Sequence, residues 1–252
     1  MSHTRRRLEI NGGRVFLDDP WRLELPAGRR GYADAQVDDY GGLARKDYPW
    51  TPGTNLSLRA RFSHESGTLQ GTAGFGFWNA PFGDPTIRIP ALPKAAWFFY
   101  ASAPNDLPFP ISGAGRGWFA GTLDAATPRA LALVPLAPLV ITLNNASAVR
   151  RRLWPWLRQQ LAISYAPMSV DMRKWHWYQL AWGPEEVRFL VDGDVVLTTR
   201  PAPGGALGFV AWLDNQYLVA RPTGRLRWGT LSTAETQWLE VKDVRLQSLA
   251  GV

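Results

Sequence analysis

The stretch from Trp175 to Thr199, WHWYQLAWGPEEVRFLVDGDVVLTT, decides the fold. It reads as two alternating strands on either side of Gly183-Pro184, then a tight turn at Asp192-Gly193-Asp194 into a third. Val187, Phe189 and Val191 fall on one face, and Arg188, Leu190 and Asp192 on the other. Successive side chains of a strand point to opposite faces of the sheet. Period-two alternation bounded by Gly, Pro and Asp-Gly is therefore the pattern of antiparallel hairpins.

Working outward, the same signal recurs. Arg14 to Leu17, Trp21 to Leu25 and Tyr32 to Tyr40 are strand-like, and Leu56 to Ser63 alternates with Leu56, Leu58, Ala60 and Phe62 on one face. Thr72 to Asn79 (TAGFGFWN) and Ala95 to Ser102 (AAWFFYAS) are nearly continuous apolar runs, as expected of strands covered on both faces. Gly208 to Asp214, Arg225 to Gly229 and Thr236 to Gln247 complete the series. Many short strands separated by Gly, Pro, Asn and Asp turns predict an all-β protein, a two-sheet antiparallel sandwich.

The middle of the chain breaks this rhythm. Asn144 to Ala162 carries Val149, Leu153, Leu157 and Leu161 at a spacing of four, with Asn144 or Asn145 as the N-cap candidate. A helical insertion is predicted near residues 145–162, kinked or split at Pro155. It is basic, with Arg150, Arg151, Arg152 and Arg158 and no acid. Three roles suit it: packing on the flank of the sandwich, a lid, or a foot on a membrane surface. The run Ala130 to Leu143 beside it, ALALVPLAPLVITL, is too short and too proline-broken for a simple membrane span.

Of the 252 residues 46% are hydrophobic and 19% charged, so a sizeable core is available and global disorder is not expected. No repeat or linker divides the chain, and a single domain over residues 1–252 is expected. Without cysteine there is neither a disulfide framework nor a thiolate metal site. The opening MSHTRRRLEI has no apolar run after its basic residues, so no signal peptide is read and a cytoplasmic location is expected. The net charge of +7 raises nucleic acid and anionic membranes as partners. No zinc-finger spacing, RNP aromatic signature or phosphate loop accompanies it, so nucleic acid is not expected. Peripheral contact with an anionic membrane through Arg150, Arg151 and Arg152 stays open. Thirteen tryptophans exceed what a core alone needs and suggest aromatic surfaces in a cleft, where flat rings stack on sugars or other apolar faces.

The pattern W-H-x-Y-x-x-x-W-x-P-x-x-V-x-F-x-V-D-G resembles the penultimate hairpin region of concanavalin A-like lectin/glucanase sandwiches, especially laminarinase-type glycoside hydrolases of family 16. GALGFVAWLDN (Gly205 to Asn215) is similar to that family's next strand and LEVKDVRLQ (Leu239 to Gln247) to its closing strand. GFGFWN (Gly74 to Asn79) matches a strand carrying a buried tryptophan. The resemblance covers roughly residues 55–102 and 172–248 and implies a jelly-roll fold with sugar-directed chemistry. It also implies an E-x-D-x-E strand that supplies nucleophile and acid/base. No E-x-D-x-E occurs here, and the strand expected to hold it, AAWFFYAS, has no carboxylate.

Other residues are candidates for the site. Along Tyr32 to Tyr40, Asp34, Gln36, Asp38 and Tyr40 share one face. The two aspartates stand about 13 Å apart along the strand, too far for a retaining pair. Asp34, Asp38 and Tyr40 are the candidate acid/base residues. Gln36 is a ligand contact, and Arg59 and Arg61 either join the ligand or form a carboxylate–guanidinium ladder with the aspartates. In Trp212 to Tyr217, Trp212, Asp214 and Asn215 suit a stacked sugar, or equally a turn that satisfies its own backbone. Trp97 and Phe99 would line the cleft where the family's carboxylates stand, turning it apolar. His3, His64 and His176 have no metal-ligand spacing, and no metal or cofactor is expected. The expected function is ligand binding on a glucanase-like scaffold, with carbohydrate first. The alternatives are altered acid/base chemistry on a small or hydrophobic molecule, and a lipid-surface or hydrophobic-ligand protein.

Overall fold

The computed structural model describes residues 4–82 and 89–248. His3 lies outside the described residues. In chain order the strands are β1 (Arg6–Ile10), β2 (Arg14–Phe16), β3 (Trp21–Leu25), β4 (Asp34–Asp38), β5 (Thr54–Phe62), β6 (Thr72–Trp78), β7 (Lys94–Ala101) and β8 (Gly117–Asp124). Helices α1 (Pro128–Leu133), α2 (Ala137–Asn145) and α3 (Ser147–Gln160) follow. The chain continues with β9 (Ser164–Pro167), β10 (His176–Trp182), β11 (Val187–Val191), β12 (Asp194–Thr199), β13 (Gly208–Asp214), β14 (Gln216–Ala220), β15 (Leu226–Thr230) and β16 (Gln237–Ser248).

Two seven-stranded antiparallel sheets face each other. The first runs β1-β4-β13-β6-β7-β8-β9, the second β12-β11-β10-β5-β16-β3-β2, and β14-β15 is a separate hairpin. The opening stretch forms β10, β11 and β12 as read, with Tyr178 opposite Val191 and Trp182 opposite Val187. Asp192 and Gly193 take positive φ angles at the predicted turn. This is the two-sheet jelly-roll sandwich that the resemblance implies.

Alternation explains the core. Ala35, Val37, Phe75, Phe77, Phe98, Tyr100 and Trp118 of the first sheet meet Leu56, Leu58, Tyr178, Leu180, Phe189 and Val241 of the second. Phe98 lies edge-on to Tyr178 and to Phe189, at ring distances of 5.0 and 5.2 Å. Fully burying each such side chain contributes about 1.5–3 kcal/mol, more where aromatic edges meet faces.

The insertion is larger than the periodicity predicts. Helix begins at Pro128 rather than near residue 145, and the apolar run Ala130 to Leu143 is itself helical. Asn144 and Asn145 do not cap the long helix; they end α2, their amides donating to the carbonyls of Val140 and Ile141 at 2.9 Å. Pro155 does not split α3, which is continuous through it. Trp154 and Leu157 on either side of the proline are buried against the sheet, and that packing holds the turn together despite the missing N–H.

Candidate functional site

The core takes one side of the first sheet; the residues singled out from the sequence occupy the other. Cross-strand register sets them in rows. Asp34 stands opposite Asp214, which stands opposite Thr72. Gln36 stands opposite Trp212, followed by Gly74, Phe99 and Phe119. Asp38 stands opposite Val210, followed by Gly76, Trp97 and Gly121. Eight candidates (Asp34, Gln36, Asp38, Tyr40, Trp97, Phe99, Trp212 and Asp214) thus come to one surface from β4, β7, β13 and the turn after β4.

The centre of this surface is paved with rings. Phe99 and Trp212 are 5.2 Å apart, Trp97 and Trp212 5.8 Å, and Trp78 and Trp212 lie nearly parallel at 6.4 Å and 6°. Glycines make the paving possible. A Cβ on Gly74 would stand 2.7 Å from Cη2 of Trp212, and one on Gly208 would stand 2.1 Å from Cδ1 of Tyr40. Neither ring could lie across its strand if the glycine carried a side chain. Trp212 Nε1 donates to Thr72 Oγ1 at 3.0 Å and Trp78 Nε1 to the Tyr40 hydroxyl at 2.7 Å. Trp97 Nε1 is buried and has no acceptor among the described residues.

The paving is partly roofed. Trp154 and Leu157 of α3, Leu107 and Phe109 of the β7–β8 loop, and Leu218 of β14 belong to the same apolar cluster. Trp97 and Trp212 are consequently 7% and 8% exposed, while Trp78 and Phe99 are half-buried. The flank-packing role of the insertion is realised here: its buried stripe covers the face.

Beside the rings runs a polar ladder. Asp38, fully buried, accepts from Arg6 Nη2 at 2.7 Å and Nε at 3.0 Å, from Gln36 Nε2 at 2.8 Å and from the Gly41 backbone at 3.0 Å. The Gln36 amide also donates to the Tyr40 hydroxyl at 3.2 Å. Asp38 and Gln36 are therefore committed to each other and to Arg6. The ladder exists, but Arg59 and Arg61 are not its cations. They lie on β5 in the other sheet, on its outward side, where Arg59 approaches Asp243 at 3.7 Å and Arg61 pairs with Glu240 at 2.8 Å. The Arg61 guanidinium also sits over the Trp175 ring at 4.9 Å. Neither arginine reaches the ringed surface. The residues after β4 cross to the second sheet, so nearness in sequence misplaced them.

Asp34 and Asp214 form the other polar feature, both almost fully buried. Burial pushes the Asp34 carboxyl well above the usual range, and the neighbouring Asp214 charge pushes it further. Burial raises Asp214 to about 7, against the pull of hydrogen bonds from the Gln216 backbone and from Thr72. The Tyr32 hydroxyl is held protonated, first by burial and then by the charges of the neighbouring Asp34 and Asp214. Side chains directly opposed on neighbouring strands have Cβ atoms about 4.5–5.5 Å apart. The two carboxyls are thus direct cross-strand neighbours, whereas Asp34 and Asp38 lie one far along the strand from the other. Asp214 Oδ1 also accepts from Gln216 N at 2.9 Å, the local turn bond anticipated for it. Asn215 is wholly given to the backbone: it accepts from Ala33 N and donates to Gly31 O and Leu231 O, each at 2.9 Å.

His176 ties the hairpin turn to its neighbouring loop, bonding Asp192 at 2.6 Å and Asp171 O at 3.0 Å. No group of three metal-ligating side chains occurs among the described residues. Sequence reasoning missed Arg6, and it missed Tyr32, Thr72 and Trp78, whose relevance depends on register. A charged residue on the same face as Leu8 and Ile10 was the available sign for Arg6.

No protein-family model matches the chain, and no curated protein sequence matches it. Solved structures do. An immunostimulatory antigen and pseudo beta-1,3-glucanase of Mycobacterium tuberculosis is 14% identical, with a TM-score of 0.47 over 93% of this chain and 78% of that one. A glycoside hydrolase family protein of Mycobacterium thermorestibile is 13% identical, with a TM-score of 0.49 over 92% and 79%. A GlcNAcα1-4Gal releasing endo-β-galactosidase of Clostridium perfringens is 11% identical, with a TM-score of 0.47 over 99% and 60%. At these values the likenesses assign no activity and no residue role to this chain.

Proposed function

We propose that this protein binds a glycan at the ringed face of its first sheet and does not hydrolyse it by the paired-carboxylate route of the family it resembles. The observation that carries the reading is the indole of Trp97. Its N–H is buried without an acceptor among the described residues, in a floor of flat rings whose outer members, Trp78 and Phe99, remain half-open. An unmet buried donor costs about 1–3 kcal/mol, which an acceptor such as a sugar hydroxyl would recover. Sugar faces stack on such rings. The facing positions of β6 and β7 hold Thr72, Gly74, Gly76, Trp78, Ala95, Trp97, Phe99 and Ala101, so no carboxylate projects from the middle of the floor.

Titration calorimetry against a panel of oligosaccharides tests this. Binding by the wild-type chain that weakens about tenfold in Trp78→Ala or Phe99→Ala, without release of reducing ends, is the expected result. Silence across the panel overturns it.

Asp34 and Asp214 favour a second reading, acid/base chemistry on a bound molecule. Two opposed carboxyls, one kept neutral and one titrating near neutrality, are the combination such chemistry uses. Turnover of any panel substrate that is lost in Asp214→Asn would select this reading over simple binding.

A further inference from the structure

We infer that the outer side of the helical insertion is a docking face for an anionic lipid bilayer. The inner stripe of α3 is spent on the sandwich and that of α2 on α3, but the outer ones are not polar. Leu136, which caps the start of α2, and Leu139 and Leu143 within it, at helical spacing, are 50%, 56% and 41% exposed. Leu131 and Val134 before them, and Val149 and Trp156 on α3, are exposed too. The hairpin tip continues the patch. Asn145 Nδ2 donates to Thr223 O at 3.4 Å, and a Cβ on Gly224 would stand 2.6 Å from Cγ2 of Ile141, so the tip lies directly against α2. Leu226 follows it, 58% exposed. A water-facing surface seldom carries this many adjacent large apolar side chains.

Charge identifies the partner. No acidic residue occurs between Asp124 and Asp171, a span with five arginines, nor between Asp214 and Glu235, a span with three. Arg129, Arg151, Arg152, Arg225 and Arg227 are exposed, and Arg150 closes the end of α2 by donating to Asn144 O at 2.7 Å. Asp106 is the nearby carboxylate and it is taken up by Arg221, 2.5 Å away, so the leucines and the tryptophan are ringed by the remaining guanidiniums and match a surface that is apolar beneath and negative on top. Amphipathic helices bury such a face at the boundary of headgroups and acyl chains, while arginine stems reach up to the phosphates. A basic partner would be repelled, and a nucleic acid would leave the leucines in water. No helix among the described residues is long and apolar enough to cross a membrane, so the contact is peripheral. The inference does not rest on the glycan reading, since none of these side chains belongs to the ringed floor.

Flotation of the full chain with phosphatidylcholine vesicles, with and without phosphatidylglycerol, tests it. Binding is expected only with the anionic lipid, and falls as salt rises from about 0.1 to 1 M and the Debye length shrinks from about 10 to 3 Å. Arg151→Gln with Arg152→Gln should lower the partition coefficient about 30-fold, from roughly a factor of five per arginine. Leu136→Asp with Leu139→Asp should abolish binding while an unchanged melting curve reports an intact fold. No flotation with anionic vesicles overturns the inference, as does flotation indifferent to these variants. A stable dimer that Leu139→Asp dissolves, without vesicle binding, would likewise overturn it and assign the patch to a second copy of this chain.

Discussion

Arg6 closes on Asp38 with two guanidinium nitrogens, Nε at 3.0 Å and Nη2 at 2.7 Å, and so joins the first strand of the chain to the polar ladder of the ringed face. Asp38 is fully buried, so the pair's importance lies in what remains if it is broken. Arg6→Ala leaves a buried carboxylate with Gln36 and the Gly41 backbone as its remaining donors among the described residues. A loss of about 3 kcal/mol in urea unfolding is expected. Arg6→Met combined with Asp38→Asn should recover much of it, because no uncompensated charge then stays inside.

Asp214 predicts a pH dependence of stability. Its carboxyl is raised to about 7 in the folded protein, whereas an unfolded aspartate titrates near 3.9. Between those values the folded state binds the proton and the unfolded state does not, so stability falls as pH rises through this window. The contribution is fully present below about pH 4 and gone above about 7, amounting to about 4 kcal/mol at most. The melting temperature of wild type relative to Asp214→Asn should drop steadily from pH 4 to 7 and level off beyond. A flat difference would refute the assignment. Asp34, shifted in the same direction, adds to the fall in wild-type stability with rising pH but is common to both proteins in this comparison.

How much of this could be read from the sequence depended on whether a feature was local. The β10–β12 hairpins, the alternation of β5 and the apolar runs of β6 and β7 are properties of contiguous residues, and each formed where read. Alternation along β7 requires that one of the pairs Trp97/Phe99 and Phe98/Tyr100 face away from the core, and the outward pair is Trp97 and Phe99. The Asp34–Asp214 pair could not be found this way, since it depends on β4 and β13 lying side by side in one register. Arg59 and Arg61 were misassigned for the same reason: β5 pairs with β10 and β16, not β4. The short edge strand β1 was hidden by its charges. The early helices were hidden by prolines, although Pro128 and Pro138 stand in the first turns of α1 and α2, where a missing N–H costs nothing.

Pro155 is different, because it lies in the interior of α3. There it removes an intrahelical hydrogen bond that the flanking burial of Trp154 and Leu157 has to offset. Pro155→Ala restores that bond and a favourable propensity, and should stabilise the protein by up to about 3 kcal/mol, less the entropy the proline removes from the unfolded chain. A raised melting temperature checks it. If the variant melts lower, the proline ring itself is packing the helix.

Phe98 and Arg59 separate the contribution of the core from that of the outward side of the second sheet. Phe98 is fully buried and meets the rings of Tyr178 and Phe189 edge-on, so Phe98→Ala opens a cavity between the sheets and should cost about 3–5 kcal/mol. Arg59 stands half in water, and its 3.7 Å approach to Asp243 is an exposed ion pair. Arg59→Ala should change stability by less than about 1 kcal/mol and leave any ligand affinity of the ringed face untouched, since the whole sandwich lies between them. Chemical unfolding of the two variants side by side measures both. A large effect of Arg59→Ala on ligand binding would return that residue to the site and contradict its placement on the opposite sheet.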